Sequence, residues 1–277
     1  MDEFEGMNEE EKLKAENEFL KIKMMLERGT EFQQGNEEDA LSADIENKFL
    51  KNIMEFEKQF DKRTIVTIFD KLGNPSHFKP VSEIPDDEIE EAWTDLSNYM
   101  IEHGIELTTT NPKITAKELY RFTIEELFEH ETDDIDIPDM ISGFVYDEFH
   151  PDYEYENTKY ALDDCINLIF DKAPVDYMPH LGKKVTLNKH EALSQDAYKA
   201  LINQFKDAFD DIILNDATVT SCTIEETACT IKGAYNATAF IGNEKLELKN
   251  KWTVIFYFDD ENGYWDITSV QIEGVAF

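Results

Sequence analysis

The chain has 277 residues, enough for two domains of roughly 100–150 residues each, and its 41% hydrophobic content, with 19 Phe and 11 Tyr, excludes a disordered chain. The 61 acidic and 26 basic residues leave a formal net charge of −35 at pH 7, most of it before Asn157. Such a field repels phosphate backbones and anionic lipid, so neither nucleic acid nor a membrane surface is an expected partner.

Arg28, Arg63 and Arg121 are the arginines, and all precede the C-terminal half, which therefore has no guanidinium fork for a phosphate or carboxylate. Cys165, Cys222 and Cys229 are odd in number and lack metal-ligand spacing, as expected in a reducing compartment. The opening Met1-Asp2-Glu3-Phe4-Glu5 has neither a basic nor an apolar leader region, and no run approaches about 18 apolar residues, so the expected location is the cytoplasm.

In chain order, residues 9 to 28 read as a helix with Phe19, Leu20, Ile22, Met24 and Leu26 clustered at its end and Gly29 as its stop; its charged first turns project into solvent or fray. A polar loop with Gly35-Asn36 follows, then Ser42 offers an N-cap to a helix whose Ile45, Phe49, Ile53, Phe56 and Phe60 recur at helical spacing. The β-branched run Thr64 to Phe69 predicts a strand, closed by Gly73-Asn74-Pro75. A helix is expected from about Pro85 to His103 with Gly104 after it, and Thr115-Ala116-Lys117-Glu118 has the form of a capping box opening another.

Between Asp133 and Glu156 the pattern becomes acidic, aromatic and irregular, and the expected boundary lies at its end: residues 1–157 form a mainly helical acidic region and 158–277 an α+β domain. That domain should hold a helix after Thr158, a Pro-bounded turn from Pro174 to Pro179, a strand at Lys183–Asn188 and an amphipathic helix from Ser194. Strands are expected at about 217–224, 228–241, 245–258 and 264–275, with hairpin turns at Gly242-Asn243 and Glu261-Asn262-Gly263. If the chain turns at Glu225-Glu226, Cys222 and Cys229 lie opposite each other as reduced thiols or as a cross-strand disulfide.

This order of helix, short helix, strand, long helix and four long strands, ending in Trp265-Asp266-Ile267-Thr268-Ser269, resembles the NTF2-like, or SnoaL-like, superfamily. The resemblance implies a curved antiparallel sheet wrapped on helices into a cone with a pocket between, in a superfamily of isomerases, dehydratases and non-catalytic binding or dimerisation modules. It has no universal motif, so it transfers no catalytic positions. The segment Phe144-Val145-Tyr146-Asp147-Glu148-Phe149-His150-Pro151 resembles an uncharacterised bacterial family and implies no activity.

Inward positions of the strands are aromatic, aliphatic or small, without Asp, Glu or His, so no catalytic residue is assigned. Tyr235, Trp252 and Phe256 are the candidates for lining an apolar ligand pocket, or else they are core. Ile255 and Tyr257, on the opposite face, are candidates for an interface. His180 and His190 flank the first strand as loop histidines, and Tyr146 to Asp152 carries ligand-type side chains without metal spacing, so it reads as a connector docked by Tyr146 and Phe149. No Gly-x-Ser-x-Gly, Gly-x-Gly-x-x-Gly or Walker loop occurs, and no cofactor is expected.

The expected function is a non-enzymatic association or small-ligand-binding module, with a homodimer, a protein partner or a small apolar ligand as its counterpart. Two alternatives are a SnoaL-like pocket enzyme on a small hydrophobic substrate and an acidic adaptor whose N-terminal helices hold a basic protein.

Overall fold

The computed structural model describes residues 8–32 and 41–277, which leaves the Gly35-Asn36 loop outside the described residues. The chain divides into two compact units, Met1–Tyr146 and Asp147–Phe277, so the expected boundary near Asn157 falls inside a helix of the second unit.

In the first unit, helix α1 (Glu9–Arg28) starts at a capping box, Asn8 accepting from the Glu11 amide while Glu11 accepts from that of Asn8. The charged first turns are thereby held in the helix, and Gly29 stops it in the left-handed region at φ +68°. Helix α2 (Ala43–Phe60) begins after Ser42, which makes no capping bond to the backbone despite its suitable type. Asn17 meets Ala43 and Asn47 near the start of α2, whereas Arg28 pairs with Glu57 and Asp61 at its end, so the two helices run parallel. Leu20, Met24 and Leu50 fill their seam, and the buried Asn17–Asn47 amide pair pins its register.

The run expected as a strand through Phe69 divides into β1 (Ile65–Thr67) and helix α3 (Ile68–Lys71), because the Thr67 hydroxyl accepts from the Asp70 amide and caps a helical turn. Helix α4 (Ile89–Glu102) is followed by Gly104 at φ +74° and strand β2 (Ile105–Thr108). Thr115 caps α5 (Ala116–Glu125), whose Glu118 carboxylate accepts from Arg121 and from the buried Tyr146 hydroxyl. β3 (Glu131–Asp133) pairs antiparallel with β1, and within the segment expected to be irregular β4 (Ser142–Val145) pairs parallel with β2.

The short helix α6 (Tyr146–Phe149) contains the division between units. Helix α7 (Tyr153–Tyr160), a π-helical stretch at Ala161–Asn167 and α8 (Leu168–Phe170) then form one continuous rod. Residues 174–178, expected to hold a helical turn, are irregular. Strands β5 (Leu181–Leu187) and β6 (His190–Leu193) form a hairpin, the second arm of which was not anticipated; helix α9 (Gln195–Asp207) follows, capped by Ser194. Four long strands close the chain: β7 (Asp211–Glu225), β8 (Ala228–Ile241), β9 (Glu244–Asp259) and β10 (Tyr264–Ile272).

The six-stranded sheet has the order β6-β5-β10-β9-β8-β7 and is antiparallel except where β5 runs parallel to β10. Register shifts at Leu214/Asp216, Val219/Ser221 and Ile267/Ser269 bend its strands. Its inner face packs Ile231, Tyr235, Trp252, Val254 and Phe256 in one core with Cys165, Ile169 and Phe170 from the rod and Tyr198 and Ile202 from α9. The second unit is thus α+β, with the expected order of helix, strand, long helix and four long strands, without the expected turn at 174–178 and with β6 added.

Gly233 allows the closest approach in this core: a Cβ there would lie 2.1 Å from the Thr218 carbonyl oxygen and 2.2 Å from Trp252 Cζ2. Gly233→Ala is expected to lower unfolding free energy by about 3 kcal/mol, read from the urea midpoint. Gly143→Ala, whose Cβ would meet nothing within 4 Å, is the comparison; equal shifts for the two variants would refute the packing account.

Candidate functional site

Tyr235, Trp252 and Phe256 all lie in the buried cluster of the second unit. The Tyr235 hydroxyl donates to the Glu273 carbonyl at 2.7 Å, and the Trp252 indole NH donates to the Ala234 carbonyl at 3.2 Å. Phe170 stacks on Tyr235 at 4.7 Å between centroids. The polar handles that could orient a ligand are therefore joined to backbone, and the Tyr235 ring is covered by Phe170. Ile255 and Tyr257 share the outer face of β9; Ile255 is half-buried opposite Thr230, and Tyr257 is 54% exposed opposite Ala228 and Asp266.

A cleft of ≈ 480 Å³ lies at the start of β5 and β10, with His180, Gln195, Lys199, Tyr177, Tyr264 and Asp266 among its walls. His180 takes the left-handed conformation at φ +57°, which turns the chain from Pro179 into β5. Its carbonyl accepts from the Ile267 amide at 2.6 Å, and its ring stacks on Tyr160 at 3.9 Å and 22°. β10 thus holds the His180 backbone and α7 its ring. Asp266 reaches the cleft because alternation along β10 sends Trp265 and Ile267 inward and Asp266 outward.

Burial pushes the His180 pKa down, while the Asp164 and Asp266 carboxylates act against that shift. Burial pushes both carboxyls up; His180 opposes the rise in each, and the nearby Asp259 adds to that of Asp266. Lys199 donates to the Asp176 carbonyl at 3.2 Å and pairs with Asp196, and the Gln195 amide donates to the Leu181 carbonyl. The cleft therefore offers an imidazole held toward its neutral form, a carboxyl held toward protonation, one cation and two aromatic faces. Read from sequence as a loop histidine, His180 is brought to Asp266 by the pairing of β5 with β10, and it lies beside Tyr160 and Asp164 of the helical rod. His190, its counterpart at the other end, bonds the Phe277 carbonyl at 2.9 Å.

The three cysteines are free thiols. Cys222 lies opposite Ile231 and Cys229 opposite Ile224, so the two are diagonal rather than directly opposed, with their sulfurs 3.7 Å apart. Burial raises the Cys229 pKa to about 12, with the Cys222 thiol adding to the rise. Among the described residues, no group of three or more His, Cys, Asp or Glu is placed to hold a metal ion, and no helix is long and apolar enough to cross a membrane.

No family model and no curated protein matches the chain. Solved structures that resemble part of it are NTF2-like superfamily proteins. An NTF2-like superfamily protein from Salmonella enterica covers 44% of this chain and 91% of its own at 12% identity and a TM-score of 0.34. An NTF2-like protein from Cytophaga hutchinsonii covers 43% and 95% at 10% identity and 0.31, and a protein from Kribbella flavida covers 43% and 90% at 17% identity and 0.35.

A carboxyl with a raised pKa in the folded state contributes stability below its unfolded value and loses it as pH rises through the folded value. Asp266→Asn is accordingly expected to raise the melting temperature at pH 7, with the gain vanishing toward about pH 4. The same variant removes a charge that favours the imidazolium, so the His180 pKa followed by NMR should fall further. A rise in that pKa, or a stability gain independent of pH, would contradict the electrostatic coupling.

Proposed function

We propose that the second unit is a non-catalytic binding module that holds a small ring-bearing ligand in the His180 cleft. The observation that carries this reading is the convergence of His180, Asp266 and Lys199 with the 77% exposed Tyr177 and the 45% exposed Tyr264 on one concavity. Its volume is within the roughly 300–1,000 Å³ of small-molecule sites. The rings of Tyr177 and Tyr264 are apolar surface that a flat ligand would cover, and Lys199 suits an acidic substituent.

Binding is favoured over turnover by the state of the polar groups. Lys199 and Gln195 are already bonded to backbone carbonyls, and among the described residues no carboxylate is hydrogen-bonded to the His180 ring to orient it as a general base. The SnoaL-like enzyme alternative places its acid–base group beside Tyr235 and Trp252, whose polar atoms bond backbone instead.

Native mass spectrometry of the protein purified from its own host, together with NMR titration by small aromatic carboxylic acids, tests the reading. A retained molecule, or shifts at Tyr264 and His180 that weaken at least tenfold in Lys199→Ala and Tyr264→Ala, is the expected result. Host-purified protein without a retained mass, and no shifts in that cleft with any acid tested, would overturn it.

The exposed Tyr257 beside Ile255 supports a second reading, association through the outer sheet face. Tyr257→Glu should then change the particle mass in light scattering while leaving the melting temperature within about 1 °C, as surface substitutions do. An unchanged mass removes that interface.

A further inference from the structure

Helix α1 carries two apolar seams on opposite sides. Asn17, Leu20 and Met24 face α2 and are buried. On the side turned away from α2, Ala15, Phe19, Ile22 and Leu26 follow at spacings of four, three and four, the repeat of a coiled-coil seam. Phe19 is 65% exposed, Ile22 53% and Leu26 81%. Three large apolar side chains aligned over two turns form a stripe of the kind that marks an interaction surface, and the heptad spacing identifies the shape it fits as another helix.

We propose that this seam pairs with the same seam of a second copy of the chain, with the two α1 helices antiparallel about a two-fold axis. The order of side chains selects both the partner and the direction. In an antiparallel self-pair centred between Leu20 and Lys21, the small Ala15 meets the large Leu26 of the partner subunit and Phe19 meets the partner's Ile22, so that each layer combines different volumes. The same alignment sets Lys23 against the partner's Glu16 at flanking positions, and the two-fold axis repeats that contact. Within its own chain Glu16 accepts from Lys51 through Oε1 and from Asn47 through Oε2, so Lys23 of the partner subunit would join a carboxylate that is already shared. A parallel pair would stack Glu9, Glu10 and Glu11 on their copies and align the helix dipoles, and it would leave Ala15 facing alanine; each effect disfavours it.

The net charge of −35 works against association of copies, so ionic strength of about 0.15 M, where the screening length is about 8 Å, is the condition for the test. Light scattering on the full chain is expected to show a particle mass that drops twofold in Leu26→Glu and in Phe19→Glu, while circular dichroism and the melting temperature stay close to wild type because both side chains are exposed in the single chain. Oxidative cross-linking reports direction: Ala15→Cys/Leu26→Cys should give a covalent dimer and Leu26→Cys alone should not. A wild-type monomer at all accessible concentrations, a mass unchanged in both Glu variants, or a covalent dimer from Leu26→Cys alone would each overturn the proposal.

Discussion

Trp252 lies against the backbone of Gly233, so close that the glycine has no room for a side chain, and the inner face of the long sheet is arranged around that contact. The indole fills the space that the missing Cβ leaves, and its NH reaches the Ala234 carbonyl one residue further along the neighbouring strand. Phe256 and Val254 continue the same stripe of β9, and Tyr235 on β8 closes it with a hydroxyl bonded to the Glu273 carbonyl beyond β10. On the concave side these residues are buried in one core. A cleft of ligand size lies where the loop before β5 meets the start of β10, at His180.

Two further polar side chains of that core, Tyr198 and Asn157, are placed beside sulfur. The Tyr198 hydroxyl and both polar atoms of the Asn157 amide are buried without a hydrogen bond of ordinary length. Their polar neighbours are thiols, Cys165 beside Tyr198 and Cys229 beside Asn157, and each is a weak partner. Burial raises the Cys165 pKa to about 12 and that of Tyr198 well above its ordinary value, so both stay neutral and the core carries no charge at their contact. The π-helical stretch that contains Cys165 adds a residue to its turn, which turns the thiol inward to that hydroxyl.

Element types in the second unit were legible because each depends on local pattern: alternation in β9, helical spacing in α9, and Gly263 and Gly242 at the turns. What was not legible depends on partners distant in sequence. β4 has only four residues and reads as part of an irregular stretch until β2 pairs with it in parallel from more than thirty residues away. The diagonal placement of Cys222 and Cys229 follows from a turn one residue later than Glu225-Glu226 suggests. His180 reads as a loop residue for the same reason: its backbone conformation, its aromatic stack and its two carboxylates belong to four different elements.

Helix α1 shows a different limit of sequence reading. The cluster Phe19 to Leu26 is visible in the chain, but a helix with apolar residues on both sides gives no sign of which side its neighbour will take. The parallel course of α2 decides it, because the Asn17–Asn47 amide pair can form only if α2 lies on the Leu20 and Met24 side. Once that side is taken, Phe19, Ile22 and Leu26 stay in water. Apolar surface of that kind gains little on folding of the single chain and would gain on burial against a second helix. The amide pair that fixes the register of the parallel helix pair thus also determines which surface is left for association.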